Sequence, residues 1–463
     1  MIAESNLRSD CRPPQRQVES DTGSQSRYGE VETSEQAKRE TRAARFTKNA
    51  TIDARATMNC VEVCDDTPVI GTLDRMCSLA EAQRREASHQ LDIFEQRREC
   101  QGDRYAFVTK KYERSSAGKG YQGDDIRTMN ACWATVCFLV SKVLALDESR
   151  AIDIAAADVQ YSQIYSYMHD RLRAVRVDLL VQQPHSTTGR QFIESHECCI
   201  RFELLSRFLF NNCCDVGAPG HFVEKLSTEA LSQTIEPLLH AYREAHHQEL
   251  CCDIRRQAQQ LPYISKDEMV MHRYVILLML GSSCEKLVEH LATLPSRVLK
   301  HPLITFALDV VAAFHADNHS RVLRFYTEAD FLTAVAMSSI VDFSRSRTLW
   351  LIFQAYPKSV GDRLSLRRLK NMLAFANIKD LRQFLVTHQV QIIEGDESIE
   401  EEDKKACLPK KGSPDAEAHP LLTSREPSLT TKSECRDALL VKKFQELKLD
   451  RSAIVFGSAD PAI

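Results

Sequence analysis

Gly118, Gly120 and Gly123 in GKGYQG have the spacing G-x-G-x-x-G. Glycines so placed let a backbone turn tightly and approach a pyrophosphate, when a strand precedes them and a helix follows. The preceding KKYERSSA is charged and not strand-like, and no βαβ pattern follows, so a loop between two helices is expected. Lys119 is followed by Gly120, where a phosphate loop needs Ser or Thr for magnesium. Metal ligation fails on spacing. Cys198 and Cys199, Cys213 and Cys214, and Cys251 and Cys252 are adjacent pairs, and adjacent helical side chains point about 100° apart, which suits no shared tetrahedral ion. Cys60 and Cys64 lack a second ligand pair, and His196 near Cys198 reads as an ordinary helix residue. No G-x-S-x-G elbow or H-E-x-x-H helix occurs, and the carboxylates scatter over polar faces. The expectation is a chain without catalytic residues, metal or cofactor.

One charged patch has spacing that suits binding. Lys358, Arg363, Arg367, Arg368, Lys370, Lys379 and Arg382 crowd a short stretch. Arg367, Lys370 and Asn371 fall at steps of three and four and share a helix face. Leu366, Leu369, Met372 and Leu373 supply the buried side. Such a face can lie against phosphates, whose contacts give affinity without reading sequence. An ordinary basic surface helix, or one docked on an acidic partner, would carry the same residues. A second charged helix covers residues 165–183, YSYMHDRLRAVRVDLLVQQ. Ile164, Met168, Leu172, Val175 and Leu179 form its apolar stripe. Asp170, Arg171, Arg173, Arg176 and Asp178 fill the other faces and are expected on the surface.

The elements that must position these residues are helical. The 463 residues carry a net charge of −4, too near neutral for a protein that coats nucleic acid indiscriminately. Hydrophobic content of 43% supports a sizeable core. The 16 cysteines read as mostly free thiols in a reducing compartment, since a chain this long does not need a disulfide framework. No secretory signal or membrane-spanning run is evident. Residues 1–66 are polar and read as a disordered tail, and residues 67–128 as N-terminal wrapping helices, with one exposed helix over 79–98. A core helix over 129–146 opens a helical-repeat scaffold over residues 129–341. Its stripes run at 152–182, 191–210, 222–246, 267–281, 284–294, 302–315 and 328–341. Helix spacing on this scale suggests an all-α solenoid of tetratricopeptide-like hairpins. Residues 342–395 read as a small winged-helix module: a helix capped by Ser365, a second over 379–387, and a strand over 389–393. Residues 396–463 read as an acidic and polar linker ending in one helix over 438–449.

The order of several segments resembles one family. Asp170, Arg171, Arg173, Arg176, Asp178 and Gln182 resemble the signature helix of the GANP or suppressor-of-actin scaffolds of mRNA export. Upstream, FVTKKYERSSAGK, with Lys110, Lys111, Tyr112 and Arg114, is similar to that family's basic segment. The stretch from Gly71 and Thr72 through Met76 and Cys77 to Phe94 and Glu95 resembles its opening pattern. There Leu73 replaces a Cys, Ser78 a Pro, and Ala82 an Arg. Residues 194–208 and 301–393 resemble its later helices and closing winged helix, so the resemblance covers about residues 68–394. It implies a non-catalytic scaffold of a nuclear mRNA-export complex, seated in full-length members at the nuclear pore. The implied partners are a PCI-type winged-helix subunit and a small acidic DSS/Sem-type peptide, with RNA bound through the complex and no membrane contact. Short members of the family are linked to centrosomes and spindles. This chain carries no Phe-Gly array before the core and no long helix after it, which keeps that alternative open. A subunit of another lid-like assembly is the third reading.

Overall fold

Polar residues set the helix starts. Ser78, Thr128, Ser283, Ser365, Asn377 and Asp450 each precede a helix and accept a hydrogen bond from a first-turn backbone N–H. Each such cap is worth about 1 kcal/mol. The computed structural model describes residues 69–96, 103–113, 123–145, 161–182, 189–212, 222–255, 262–355, 364–393, 405–407 and 437–458. All of them fall in one unit, Pro68–Ile463. The expected tail over residues 1–66 lies outside them, as do Gly118, Gly120 and the acidic run after Ile393.

The chain is mainly helical. Helix α1 is Leu79–Ala87, and a short 3-10 turn follows at Gly123–Asp125. Helix α2, Met129–Phe138, continues as a π-helical turn over Leu139–Leu144. Next come α3 (Tyr161–Val181), α4 (Arg190–Asn212), α5 (Glu224–Arg255), α6 (Glu268–Leu280) and α7 (Cys284–Thr293). The body closes with α8 (Ser296–Leu299), α9 (Pro302–His315), α10 (His319–Glu328) and α11 (Phe331–Ala355). Successive helices pack as neighbours: α3 on α4, α4 on α5, α6 on α7, α9 on α10, and α10 on α11. That is an α-solenoid, and one continuous apolar core runs through it from Phe94 to Val455. Each fully buried Leu or Phe in that core contributes about 1.5–3 kcal/mol.

A small mixed module follows α11. Strand β1 (Leu364–Ser365) leads into α12 (Leu366–Met372) and α13 (Ile378–Thr387), then strands β2 (Gln391–Ile393) and β3 (Lys405–Cys407). The strands form an antiparallel sheet in the order β1-β3-β2, with Leu364 opposite Ala406 and Ile393 opposite Lys405. Leu366, Leu369, Leu373, Leu381, Phe384 and Leu385 fill the space between the two helices and the sheet.

Three local expectations differ from the structure. Helix α1 stops at Ala87, well short of residue 98, because His89 adopts a left-handed φ of 52° and Gln90 N–H closes back on Arg85 O. Helix α11 runs on to Ala355, beyond the apolar stripe that ends at residue 341. Its continuation is carried by buried polar residues, Ser344, Arg345, Ser346 and Arg347, which hide the periodicity. At the C-terminal end the helix expected over 438–449 is α14 (Ala438–Leu447), and a further helix not expected from the sequence, α15 (Arg451–Val455), follows it. Lys448, at φ 52°, ends the first, and Asp450 caps the second. Both pack on α4, and α14 also packs on α11.

Candidate functional site

The charged residues of α3 converge on the segment that precedes α2. Asp178 is almost fully buried and receives two cations: Lys110 Nζ at 2.7 Å and Arg127 Nε at 2.7 Å. Arg127 is wholly buried. Burial works against its charge, and Asp178 with the neighbouring Cys132 and Cys77 outweighs it, holding the guanidinium above its ordinary pKa. One turn along α3, Gln182 Nε2 donates to Arg127 O at 2.9 Å and Gln182 Oε1 accepts from Gly71 N–H at 3.1 Å. A Cβ on Gly71 would lie 2.5 Å from Arg127 O, so only glycine fits there. Lys110 Nζ also donates to Asp125 O at 2.6 Å. Asp178, Gln182, Lys110 and Arg127 thus pin three separate stretches of chain onto one helix end.

A second cluster lies further toward the start of α3. Buried Glu95 accepts from Arg85, from Arg171 Nη2 at 3.3 Å, and from Thr109 N–H and Oγ1, both at 3.2 Å. Arg171 Nε donates to Thr109 Oγ1 at 3.0 Å, and its guanidinium lies 4.7 Å from the Tyr167 ring centre. Arg171 also pairs with Asp170, whose other contact is Tyr112 N–H at 3.2 Å. Arg173 stacks over the Tyr112 ring at 4.0 Å, and Lys111 N–H donates to Glu81. Arg176 points the other way, into α5, where it donates to Ala230 O at 2.7 Å and to Thr234 Oγ1. Among the described residues no carboxylate forms an ion pair with it, and burial lowers its pKa.

These positions overturn one expectation. Arg171, Arg176 and Asp178 are buried, not on solvated faces; Asp170 and Arg173 are half-buried at the edge. Charged residues at helical spacing look alike in sequence whether they meet water or partners; here residues 103–113 and 123–128 cover Arg171 and Asp178, and α5 covers Arg176. Arg114 lies outside the described residues. Glu95, the last residue of the opening pattern, completes the second cluster; Arg127 completes the first but stands in no recognisable spacing. A lone Arg before an apolar helix, as in IRTMN, is the faint signal for Arg127.

Helix α4 carries a further buried set. Glu197 Oε1 accepts from Tyr242 OH and Ser265 Oγ, each at 2.6 Å. Burial pushes its carboxyl up to about 7. Arg201 pairs with Asp267 at 2.7 Å. His196, considered above as a metal ligand, is wholly buried, bonds Phe192 O at 2.8 Å, and is driven down to about 4 by burial. Among the described residues no group of His, Cys, Asp and Glu is placed to hold a metal ion. Cys77, Cys132, Cys137, Cys198, Cys199 and Cys284 are free thiols. No described helix is long and apolar enough to cross a membrane.

The basic patch falls on the two helices of the terminal module. Arg367 and Arg368 are exposed and Lys370 half-buried on α12; Lys379 is exposed and Arg382 half-buried on α13. Lys358 and Arg363 lie outside the described residues. Ser365 caps α12 and Asn377 caps α13, and the two helices pack together through Leu366, Leu369, Leu381 and Phe384. Gln383 and Val386 share the exposed side of α13 with Lys379, and Val386 is 67% exposed. The buried clusters can hold elements together; this face can meet a partner. The sequence model of the SAC3/GANP family matches residues 76–394, a span that takes in both clusters except Gly71, the solenoid and the basic helices.

Proposed function

This chain belongs to the SAC3/GANP family, and from that premise we propose that it is a non-catalytic scaffold subunit of a nuclear mRNA-export complex. The observation that carries the reading is the match itself over residues 76–394. The interlocked Asp178 and Glu95 clusters support it, because they give the signature residues a reason to be there: they weld the N-terminal segment to the solenoid. A rigid helical body of that kind suits a subunit whose work is to hold others.

The order α11, β1, α12, α13, β2, β3, with β3 between the other strands, supports reading the terminal module as a winged helix. In such modules the second helix of the helix–turn–helix faces nucleic acid. That role falls to α13, with Lys379 and Arg382, flanked by Arg367, Arg368 and Lys370 of α12. By resemblance, a PCI-type partner would set its own winged helix alongside, a small acidic peptide would stabilise the pair, and RNA would lie across both. The module alone would then bind RNA weakly, since few phosphates are neutralised.

Depletion in cells tests the reading. Polyadenylated RNA should accumulate in the nucleus, with the protein itself nuclear. Normal RNA distribution with defective spindles would move the job to the centrosome and leave the fold assignment intact.

A further inference from the structure

Arg345 sits on α11 with its guanidinium buried. Two of its donors go to the end of α12: Nε to Leu373 O at 3.0 Å and Nη2 to Ala374 O at 2.9 Å. Its face covers the Phe375 ring at 4.2 Å. The third donor, Nη1, goes to Asp437 Oδ2 at 2.8 Å, while the nearest carboxylate on its own helix, Asp342, is 3.8 Å away. Tyr326 OH of α10 donates to the same Asp437 oxygen at 2.8 Å. Asp437 Oδ1 caps α14, and its backbone N–H donates to Asn212 at the end of α4 at 2.7 Å. The next residue, Ala438, gives its N–H to Asp380 in the first turn of α13 at 3.2 Å. Asp437 therefore joins α4, α10 and α11, and Ala438 beside it bonds the terminal module.

The chain beyond it is sewn into the body. Lys443 Nζ donates to Thr327 O and Ala329 O, filling the open carbonyls at the end of α10. The Phe444 ring meets those of Phe208 and Phe331. Ser452 Oγ donates to Val140 O at 2.7 Å, and Ile454 and Val455 are fully buried. At the far end a Cβ on Gly457, at φ 96°, would stand 3.0 Å from the Arg201 guanidinium.

We infer that residues 437–458 are an intramolecular strap that fixes the terminal module against the solenoid, with Asp437 and Arg345 as its anchor. The strap approaches both sides of the junction from a distant part of the sequence. Its loss would leave Arg345 buried with only the more distant Asp342 to balance it, so the donors that hold Leu373 and Ala374 would be free to reorient. The module would then swing on the end of α11, and the basic helices would lose their fixed bearing.

Hydrogen exchange on the full chain tests this. In Asp437→Asn the amides of α12 and α13 should exchange at least tenfold faster, with α6 at its wild-type rate. Unchanged α12 and α13, or equal acceleration of every helix, would overturn the inference. A protease site introduced among residues 409–435 supplies a second measurement on an otherwise wild-type protein. After cleavage the C-terminal piece should remain bound through gel filtration, and Asp437→Asn should release it. A wild-type piece that dissociates on cleavage would also overturn it.

Discussion

Asp178, almost wholly buried, gathers the charges of buried Arg127 and of Lys110 at the edge of the site. Removing one partner of a buried pair strands the other, at a cost of about 3–5 kcal/mol. Asp178→Asn should therefore lower the unfolding free energy by about that amount in urea denaturation. Lys110→Met should cost about 1 kcal/mol or less, because its ammonium is partly exposed and the pair is screened. Equal losses in the two variants would show that the cluster does not work through Asp178 and Arg127. Glu197 supplies a pH dependence. Its folded pKa of about 7 lies above the ordinary value of 4.5, through burial, so the protonated form favours the fold. The stability it contributes is fully present below pH 4.5 and is lost as pH rises through 7. Glu197→Gln should gain about 2 kcal/mol relative to wild type on going from pH 5.5 to pH 8. His196 works in the opposite sense: held neutral by burial with a pKa of about 4, it costs stability as pH falls from 6.5 to 4. A pH-independent difference between Glu197→Gln and wild type would refute the assignment to Glu197.

Among elements, the helices with clean apolar stripes were legible almost to the residue. Stripes at 302–315 and 284–294 correspond to Pro302–His315 and Cys284–Thr293. Periodicity reports which faces avoid water, so it finds a helix whose buried face is apolar. It fails where burial is polar, as along α11 beyond residue 341, and it cannot separate a solvated charge from a paired one, as on α3. It also cannot see docking: nothing in ALLVKKFQELKL shows that Lys443 and Phe444 grip α10 and α4 rather than face solvent. The break between α14 and α15 is a local matter. Exposed Lys448 adopts φ 52°, a conformation that disfavours any side chain with a Cβ. Lys448→Gly should raise stability by about 0.5–1 kcal/mol, read as a higher melting temperature. A lower melting temperature would mean that the lysine side chain itself holds the turn.

At the scale of the whole molecule, the family and its helical body were legible because several segments stand in the right order, not because any one of them is specific. The proposed binding face rests on the placing of basic residues over two helices. The patch read from the sequence already includes Arg367, Arg368 and Lys370 of α12 and Lys379 and Arg382 of α13, and the module's topology favours the α13 pair for the proposed contact. Reversing Arg367 and Arg368 to glutamate should weaken RNA binding by the assembled complex about tenfold at moderate salt and flatten its salt dependence, with the melting temperature unchanged. Undiminished binding would remove α12 from the RNA face and leave α13 to be tried.

The most direct measurement is purification of the tagged full chain from its own cells under mild salt, with the bound proteins identified. A scaffold of mRNA export should bring down a PCI-type winged-helix subunit together with a small acidic peptide, in stoichiometric amounts. Recovery of spindle-pole or tubulin-organising proteins in their place, or of proteasome-lid subunits, would contradict the account.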